Sequence, residues 1–249
     1  MKLPPGQRRV PGFPRFGAHL HLPPPEVPSD PSIEISGVLA RPIVLPLSTL
    51  AQLPRVDLTA DFHCVGGWSA TDLHWQGVSF SEFYRAVIEP ALFPGQVVTH
   101  LSFCGLDDYR VTVELQDALA ADVLLADRLG GAPLTADHGS PLRLVSPAQY
   151  GFVNAKHLCR IELTDGPRAD NFEGPWLSRI FLAAFQRHPR ARVWAEERHR
   201  YLPGPLFRPL GRAVVALSGP LSARPASQSR QHRLGPGLTT SSEGDSDLT

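Results

Sequence analysis

Apolar and polar residues alternate with period two from Val56 to Cys64. This puts Val56, Leu58, Ala60, Phe62 and Cys64 on one face of a half-buried strand. Ile33 and Ile35 alternate in the same way, Gly37 turns the chain, and Ile43-Val44-Leu45 makes another short run. Leu73–Val78, Val97–Phe103, Arg110–Leu115, Leu142–Val145 and Leu158–Leu163 read as further strands. Helical spacing is rarer. Ser48 is placed to cap a short helix through Leu53, and Ser79-Phe80-Ser81-Glu82 has the form of a capping box. The helix behind that box carries Phe80, Phe83, Tyr84, Val87 and Ile88 on one stripe and stops at Pro90. Asp117–Ala126 reads as a short helix, and Pro175–His188 as an amphipathic one with Leu177, Ile180, Phe181, Ala184 and Phe185 on its apolar face. Many short strands with few helices predict an α+β, mostly-β domain.

The pattern divides the chain into four stretches. Residues 1–31 form a proline-rich arm without periodicity, either disordered or laid extended over the body. Residues 32–165 are the folded domain, and 166–217 a helical, arginine-rich extension. Residues 218–249, rich in Ser, Gly, Pro and Arg, are expected to be a disordered tail. No repeat links these stretches.

Composition narrows the function classes. At 249 residues the chain can bury an ample core. Lys+Arg and Asp+Glu both number 24, so no global field attracts nucleic acid or a membrane surface. The arginines between Arg187 and Arg212 are mixed with Glu196 and Glu197 and lack interleaved aromatics, which points to a solvated or partner-docking surface. Three cysteines, Cys64, Cys104 and Cys159, are too few for a disulfide framework and are expected to be reduced. No stretch approaches the ~20 apolar residues of a membrane span. Arg8-Arg9 is followed by Pro11 and Pro14 instead of an apolar run, so the expectation is a cytoplasmic protein.

Two stretches carry candidate chemistry. In Asp61-Phe62-His63-Cys64-Val65-Gly66-Gly67-Trp68 an inward-facing thiol ends a strand beside a double-glycine turn. Such a thiol is either a small buried hydrophobe or a metal or cofactor ligand. In Asp137-His138-Gly139-Ser140-Pro141-Leu142-Arg143, a histidine and a glycine close a loop ahead of a strand with an early arginine. Lys156, one of two lysines with Lys2, follows a Tyr150-Gly151-Phe152 turn. His138, Arg143 and Lys156 are either exposed strand charges or a converging set of donors suited to a phosphate. The turn from Cys104 to Tyr109 is polar with an aromatic and is either an ordinary hairpin or a pocket wall.

The order Cys64 after a strand, then His-Gly-x-Pro-x-Arg-x-Val, Tyr-Gly-Phe and Lys-x-Leu-x-x-Ile-Glu-Leu resembles the molybdopterin-binding domain of the sulfite oxidase family. The resemblance runs from about Ser32 to Leu163. It implies a mostly-β fold that buries a molybdenum–molybdopterin cofactor, with Cys64 the thiolate on the metal. It implies that His138, Gly139, Arg143 and Lys156 hold the pterin phosphate. It also implies two-electron oxygen-atom transfer, the cofactor supplying the redox step and the protein the binding and orientation. Sulfite oxidases carry an arginine five residues after the thiolate, where this chain has Ser69. The run Cys64-Val65-Gly66-Gly67-Trp68-Ser69 is closer to the methionine sulfoxide reductase branch. His19 and His21 of the arm, Trp68 and Tyr109 are candidates for the substrate pocket. With Ser69 replacing the arginine, that pocket is expected to be aromatic and near neutral and to favour a small S-oxide or N-oxide. The chain has no Cys-x-x-Cys-His, no iron–sulfur cysteine cluster and no Gly-x-Gly-x-x-Gly, so electrons are expected from a separate redox partner. Three other readings compete: a sulfite-type oxyanion oxidase, a non-catalytic binding protein on the same fold, and a zinc site from His19, His21, His63 and Cys64. The zinc reading is the weakest, because adjacent His63 and Cys64 face opposite sides of a strand.

Overall fold

A computed structural model describes residues 2–15, 23–168 and 186–222. Two sheets organise them. The first contains β1 (Arg8–Arg9), β4 (Arg55–His63), β5 (Trp68–Ser79), β8 (Leu124–Leu129), β9 (Ala132–Pro133) and β10 (Arg143–Val145). The second has the order β3 (Ile43–Pro46), β2 (Ser32–Gly37), β11 (Leu158–Thr164), β6 (His100–Gly105), β7 (Arg110–Glu114). Within it β2 and β11 run parallel and the other pairs antiparallel. Ile33, Ile35, Leu101, Phe103 and Ile161 of the second sheet meet Val78, Leu125 and Leu144 of the first in one buried cluster. Phe80, Phe83, Tyr84 and Ile88 complete that cluster, as their spacing predicts.

The β4–β5 hairpin is the longest pairing and keeps the expected alternation. Val56, Leu58 and Ala60 pack around Trp75, while Asp57 and Thr59 face solvent. A bulge opposite Asp61, with Asp72 at φ 60°, lets the ladder continue to the thiol. β5 is longer than the Leu73–Val78 expected. Gly77, which looks like a turn residue, lies inside the strand, where a Cβ would stand 2.1 Å from the Leu125 carbonyl.

Several local expectations need correction. Residues 117–126 are not one helix: α2 spans only Leu115–Ala118, and β8 begins at Leu124. Leu124, Leu125 and Ala126 are all fully buried between β5 and β10, and a strand covered on both faces reads as a continuous apolar run. The capping box does not form, since the Ser79 hydroxyl meets Ser81 Oγ at 2.9 Å instead of a backbone amide. The helix there is one α turn, α1 (Phe80–Phe83), continued by a π turn over Tyr84–Ile88. Ser48 caps nothing, because Pro46 precedes the 3-10 turn Leu47–Gln52.

The proline-rich arm adds a strand: β1 pairs parallel with Trp68 and Ser69 at the start of β5. The amphipathic pattern over 175–188 falls almost wholly outside the described residues. After Gln186 the chain runs through turns into α3 (Gly204–Ser222), which continues past the expected tail boundary at Ser218. No helix among the described residues is long and apolar enough to cross a membrane.

Gly151 locks the Tyr150–Phe152 turn under the hairpin. Its amide donates to the His63 carbonyl at 2.7 Å, and a Cβ there would lie 2.0 Å from the Phe62 ring. Phe62 is itself wedged between Phe13 and Trp68. Gly151→Ala is therefore expected to cost about 1–3 kcal/mol by overpacking, read as a lower urea midpoint at unchanged slope; an unchanged midpoint would show that the ring moves freely.

Candidate functional site

The turn between β4 and β5 presents the thiol. Cys64 N–H donates to the Trp68 carbonyl at 2.8 Å and Gly67 N–H to the Cys64 carbonyl at 3.0 Å, with Gly67 at φ 92°. Cys64 shares a buried cluster with Trp68 and Ala70, against which Val10, Phe13, Phe62 and Leu73 pack, and the Gly66 amide donates to its sulfur at 3.4 Å. Burial pushes the thiol up to about 12, while the Gly66 amide and the charges of Arg187 and Arg198 pull the other way.

His63 lies on the opposite face, as the strand period requires. Its Nδ1 is 2.7 Å from the Ser69 hydroxyl, which donates to Gln7 Oε1 at 3.1 Å. Gln7 Nε2 in turn donates to the Cys64 carbonyl at 3.0 Å. Ser69 therefore does not stand at the mouth of a pocket. Trp68 faces the thiol, so its neighbour Ser69 points away and pins the arm to the hairpin. Among the described residues no group of three or more His, Cys, Asp or Glu is arranged to hold a metal. His19 and His21 lie outside those residues.

The second stretch converges as its spacing suggests. A 3-10 turn over Ala136–His138 ends at Gly139, φ 101°, where a Cβ would meet Lys156 Cβ at 2.9 Å. Lys156 Nζ donates to the Asp137 carbonyl at 2.6 Å and Arg143 Nη1 to the His138 carbonyl at 2.9 Å. Arg143 is fully buried, its guanidinium 4.9 Å from the Trp75 ring centre and within 5.7 Å and 5.9 Å of Phe13 and Phe62. Phe13 also stacks on His138 at 4.7 Å. Burial draws Arg143 down to about 9. Burial and the Arg143 charge draw Lys156 down to about 7; burial and the Lys156 and Arg143 charges draw His138 down to about 4. Arg15 joins the cluster from the arm and pairs with Asp137 at 3.5 Å.

Phe13 and Phe62 thus pack both against the cluster that holds Cys64 and against the Arg143 guanidinium. Sequence reasoning missed Phe13, Arg15 and Gln7, since the arm has no periodicity from which to read a face. It also missed the arginines that follow the described domain. Tyr109, a candidate from its turn, donates to the Phe152 carbonyl at 2.5 Å and accepts from Arg187 Nη1 at 2.9 Å. Arg187 lies over the Phe152 ring at 4.8 Å. Arg198 donates to the Val65 and Pro5 carbonyls, tying the thiol turn to the arm.

The oxidoreductase molybdopterin-binding domain matches residues 19–173. The chain belongs to this family. It is 32% identical over 169 residues to the uncharacterized oxidoreductase YuiH of Bacillus subtilis, covering 67% of this chain and 77% of YuiH. It is 28% identical over 150 residues to the protein-methionine-sulfoxide reductase catalytic subunit MsrP of Gluconobacter oxydans, covering 54% and 47%. The sulfane dehydrogenase SoxCD of Paracoccus pantotrophus shares the fold, with TM-score 0.51 and 21% identity over 68% of this chain and 46% of that one. The chain is an oxidoreductase of the sulfite oxidase family, with a mostly-β molybdopterin-binding fold and Mo-molybdopterin as its cofactor.

The residues present fit that cofactor. Arg143 Nη2, His138 Nδ1 and Trp75 Nε1 are buried around Phe13 without a hydrogen-bond partner among the described residues. The Arg143 and Trp75 N–H groups are donors that suit a dianionic phosphate. Gly139 leaves the space beside Lys156 that a side chain would fill.

In cofactor-free protein the cationic cluster gives stability a defined pH dependence. Lys156, drawn to about 7, holds its proton less tightly in the folded protein than in the unfolded chain, where the amine titrates near 10.4. Stability is therefore expected to rise with pH from about 7 to about 10. Lys156→Met should flatten that rise and raise the midpoint at pH 7. Chemical denaturation of both proteins across this range checks it, and parallel profiles would show the amine to be solvated.

Proposed function

We infer that the chain carries out two-electron oxygen-atom transfer at a molybdenum centre whose protein ligand is the Cys64 thiolate, with a small S-oxide or N-oxide as substrate. The observation that supports this reading is an inward thiol set beside a buried arginine whose Nη2, with Trp75 Nε1, has no partner among the described residues, Phe13 and Phe62 packing near both. Bound there, the molybdenum–pterin supplies the oxygen-atom transfer and its two electrons. The chain's own residues divide the remaining work. His138, Gly139, Arg143 and Lys156 grip the phosphate, Arg143 through charge-assisted bonds and Gly139 by allowing close approach. Phe13, Phe62 and Trp75, which surround the Arg143 guanidinium, would keep water from the phosphate it holds. Trp68 walls the thiol side, an apolar surface suited to a neutral oxide. The similarity to a protein named methionine-sulfoxide reductase catalytic subunit points the same way. That relative is named a catalytic subunit, and no haem, flavin or iron–sulfur motif is legible here, which supports a separate redox partner.

A second reading, oxidation of a sulfite-type oxyanion, is favoured by one observation. Arg187, hydrogen-bonded to Tyr109 and electrostatically felt by Cys64, brings to the thiol side a cation of the kind Ser69 does not supply. Steady-state kinetics separates the two readings: sulfite with ferricyanide, beside sulfoxides and N-oxides with reduced viologen. Oxide reduction is the expected activity; efficient sulfite oxidation without it would establish the second reading.

Two variants test the division of labour. Cys64→Ala is expected to abolish turnover while leaving much of the pterin bound, and full activity would remove Cys64 from the metal. Replacing Arg143 and Lys156 together forfeits two charge-assisted bonds of about 1.5–3 kcal/mol each, weakening cofactor binding at least about a hundredfold. Normal pterin content in that double variant would put the phosphate elsewhere.

A further inference from the structure

The peptide unit between Val65 and Gly66 is engaged at both ends. Its N–H, on Gly66, donates to the Cys64 sulfur at 3.4 Å; its carbonyl, on Val65, accepts from Arg198 Nη1 at 2.5 Å. One peptide therefore joins the guanidinium to the sulfur.

Arg198 is held for this contact from every side. Its side chain is 1% exposed, and its guanidinium lies 5.0 Å from the Tyr150 ring centre. Nη2 donates to the Pro5 carbonyl at 2.9 Å. Nε stands 3.4 Å from Glu196 Oε1, while Arg208 grips both oxygens of Glu196 at 2.6 Å and 2.7 Å. The thiol turn is closed on the same side by α3. Gly211 faces the turn, where a Cβ would make ordinary contacts at 3.6 Å from the Val65 oxygen and 3.7 Å from Gly66 Cα.

A buried cation on a carbonyl withdraws electron density through the amide and makes its N–H a stronger donor. An N–H bond to a metal-bound thiolate withdraws density from the sulfur, which then supports the oxidised metal less well. We propose that Arg198 is a positioning residue for the metal centre. Through the Val65–Gly66 peptide it strengthens the N–H bond to Cys64 and raises the reduction potential of the bound molybdenum. This rests on Cys64 being the metal's thiolate. It goes beyond the oxygen-transfer reading by assigning redox tuning to the arginine-rich extension.

The test is a potentiometric titration of cofactor-loaded full-length protein, followed by the electron paramagnetic resonance of the one-electron-reduced metal. Arg198→Gln is expected to lower the potential by about a tenfold change in the reduction equilibrium, about 59 mV for a one-electron step. Arg198→Lys, which keeps the charge, should restore most of that shift. Arg208→Gln loosens the same segment without touching the Val65 carbonyl and should leave the potential at the wild-type value. An unchanged potential in Arg198→Gln overturns the proposal. So does an equal shift in Arg208→Gln, or a failure of lysine to rescue. Should Arg198→Gln not load with metal, the wild-type protein decides. Labelling with ¹⁵N-glycine should reveal a Gly66 nitrogen coupled to the paramagnetic centre, and its absence refutes the proposed path. Cys64→Ser in the same series keeps the underlying reading separate. Retention of the wild-type sulfur-to-metal absorption in that variant would break the ligand assignment, whereas its loss beside an unmoved Arg198→Gln potential would break only this inference.

Discussion

Buried positive charge without matching negative charge is the constraint around which this protein is built. Arg143 is fully enclosed by Phe13, Phe62 and Trp75, and Lys156 and His138 crowd the same loop. Asp137 and Asp107 offset them only in part, and Asp137 is shared with Arg15. Removing an unpaired cation from water costs several kcal/mol. A fold that keeps such a cluster is completed by an anion, and the lowered proton affinities of Lys156 and His138 express its cost before that anion binds.

The second constraint is the thiol turn. It is tied to the arm through Gln7, to the Tyr150–Phe152 turn through Gly151, and to the C-terminal extension through Arg198 and Gly211. The arm near Gln7 and the segment from Arg198 to Gly211 thus meet at the bend from Cys64 to Gly67. The matched domain supplies every strand but β1, together with His138, Arg143 and Lys156, while Arg187 and Arg198, the charges felt at the sulfur, follow it.

Much of this was legible in the residues because it depends on local pattern. The period-two run ending at Cys64 puts the thiol inward and His63 on the opposite face, where His63 is also buried, against Ser69. The glycine after His138 and the lysine after the Tyr-Gly-Phe turn marked a loop that does bring His138, Arg143 and Lys156 together. What was not legible depends on long-range packing. Leu124-Leu125-Ala126 fits a helix or a doubly covered strand equally well, and only its place between β5 and β10 decides. Ser69 looked like a pocket residue by its distance from Cys64, but strand alternation turns it to the arm. Arg187 and Arg198 are two arginines among many in a segment without periodicity, and neither differs in sequence from a solvated neighbour.

The central claim is that one cofactor spans the aromatic wall, with phosphate at Arg143 and Lys156 and metal at Cys64. Molybdenum-edge X-ray absorption of protein made in a host that synthesises molybdopterin tests this most directly. Wild type should show three sulfur ligands, two from the pterin and one from Cys64, and Cys64→Ser should show two at equal molybdenum content. Three sulfurs in both proteins would contradict the account.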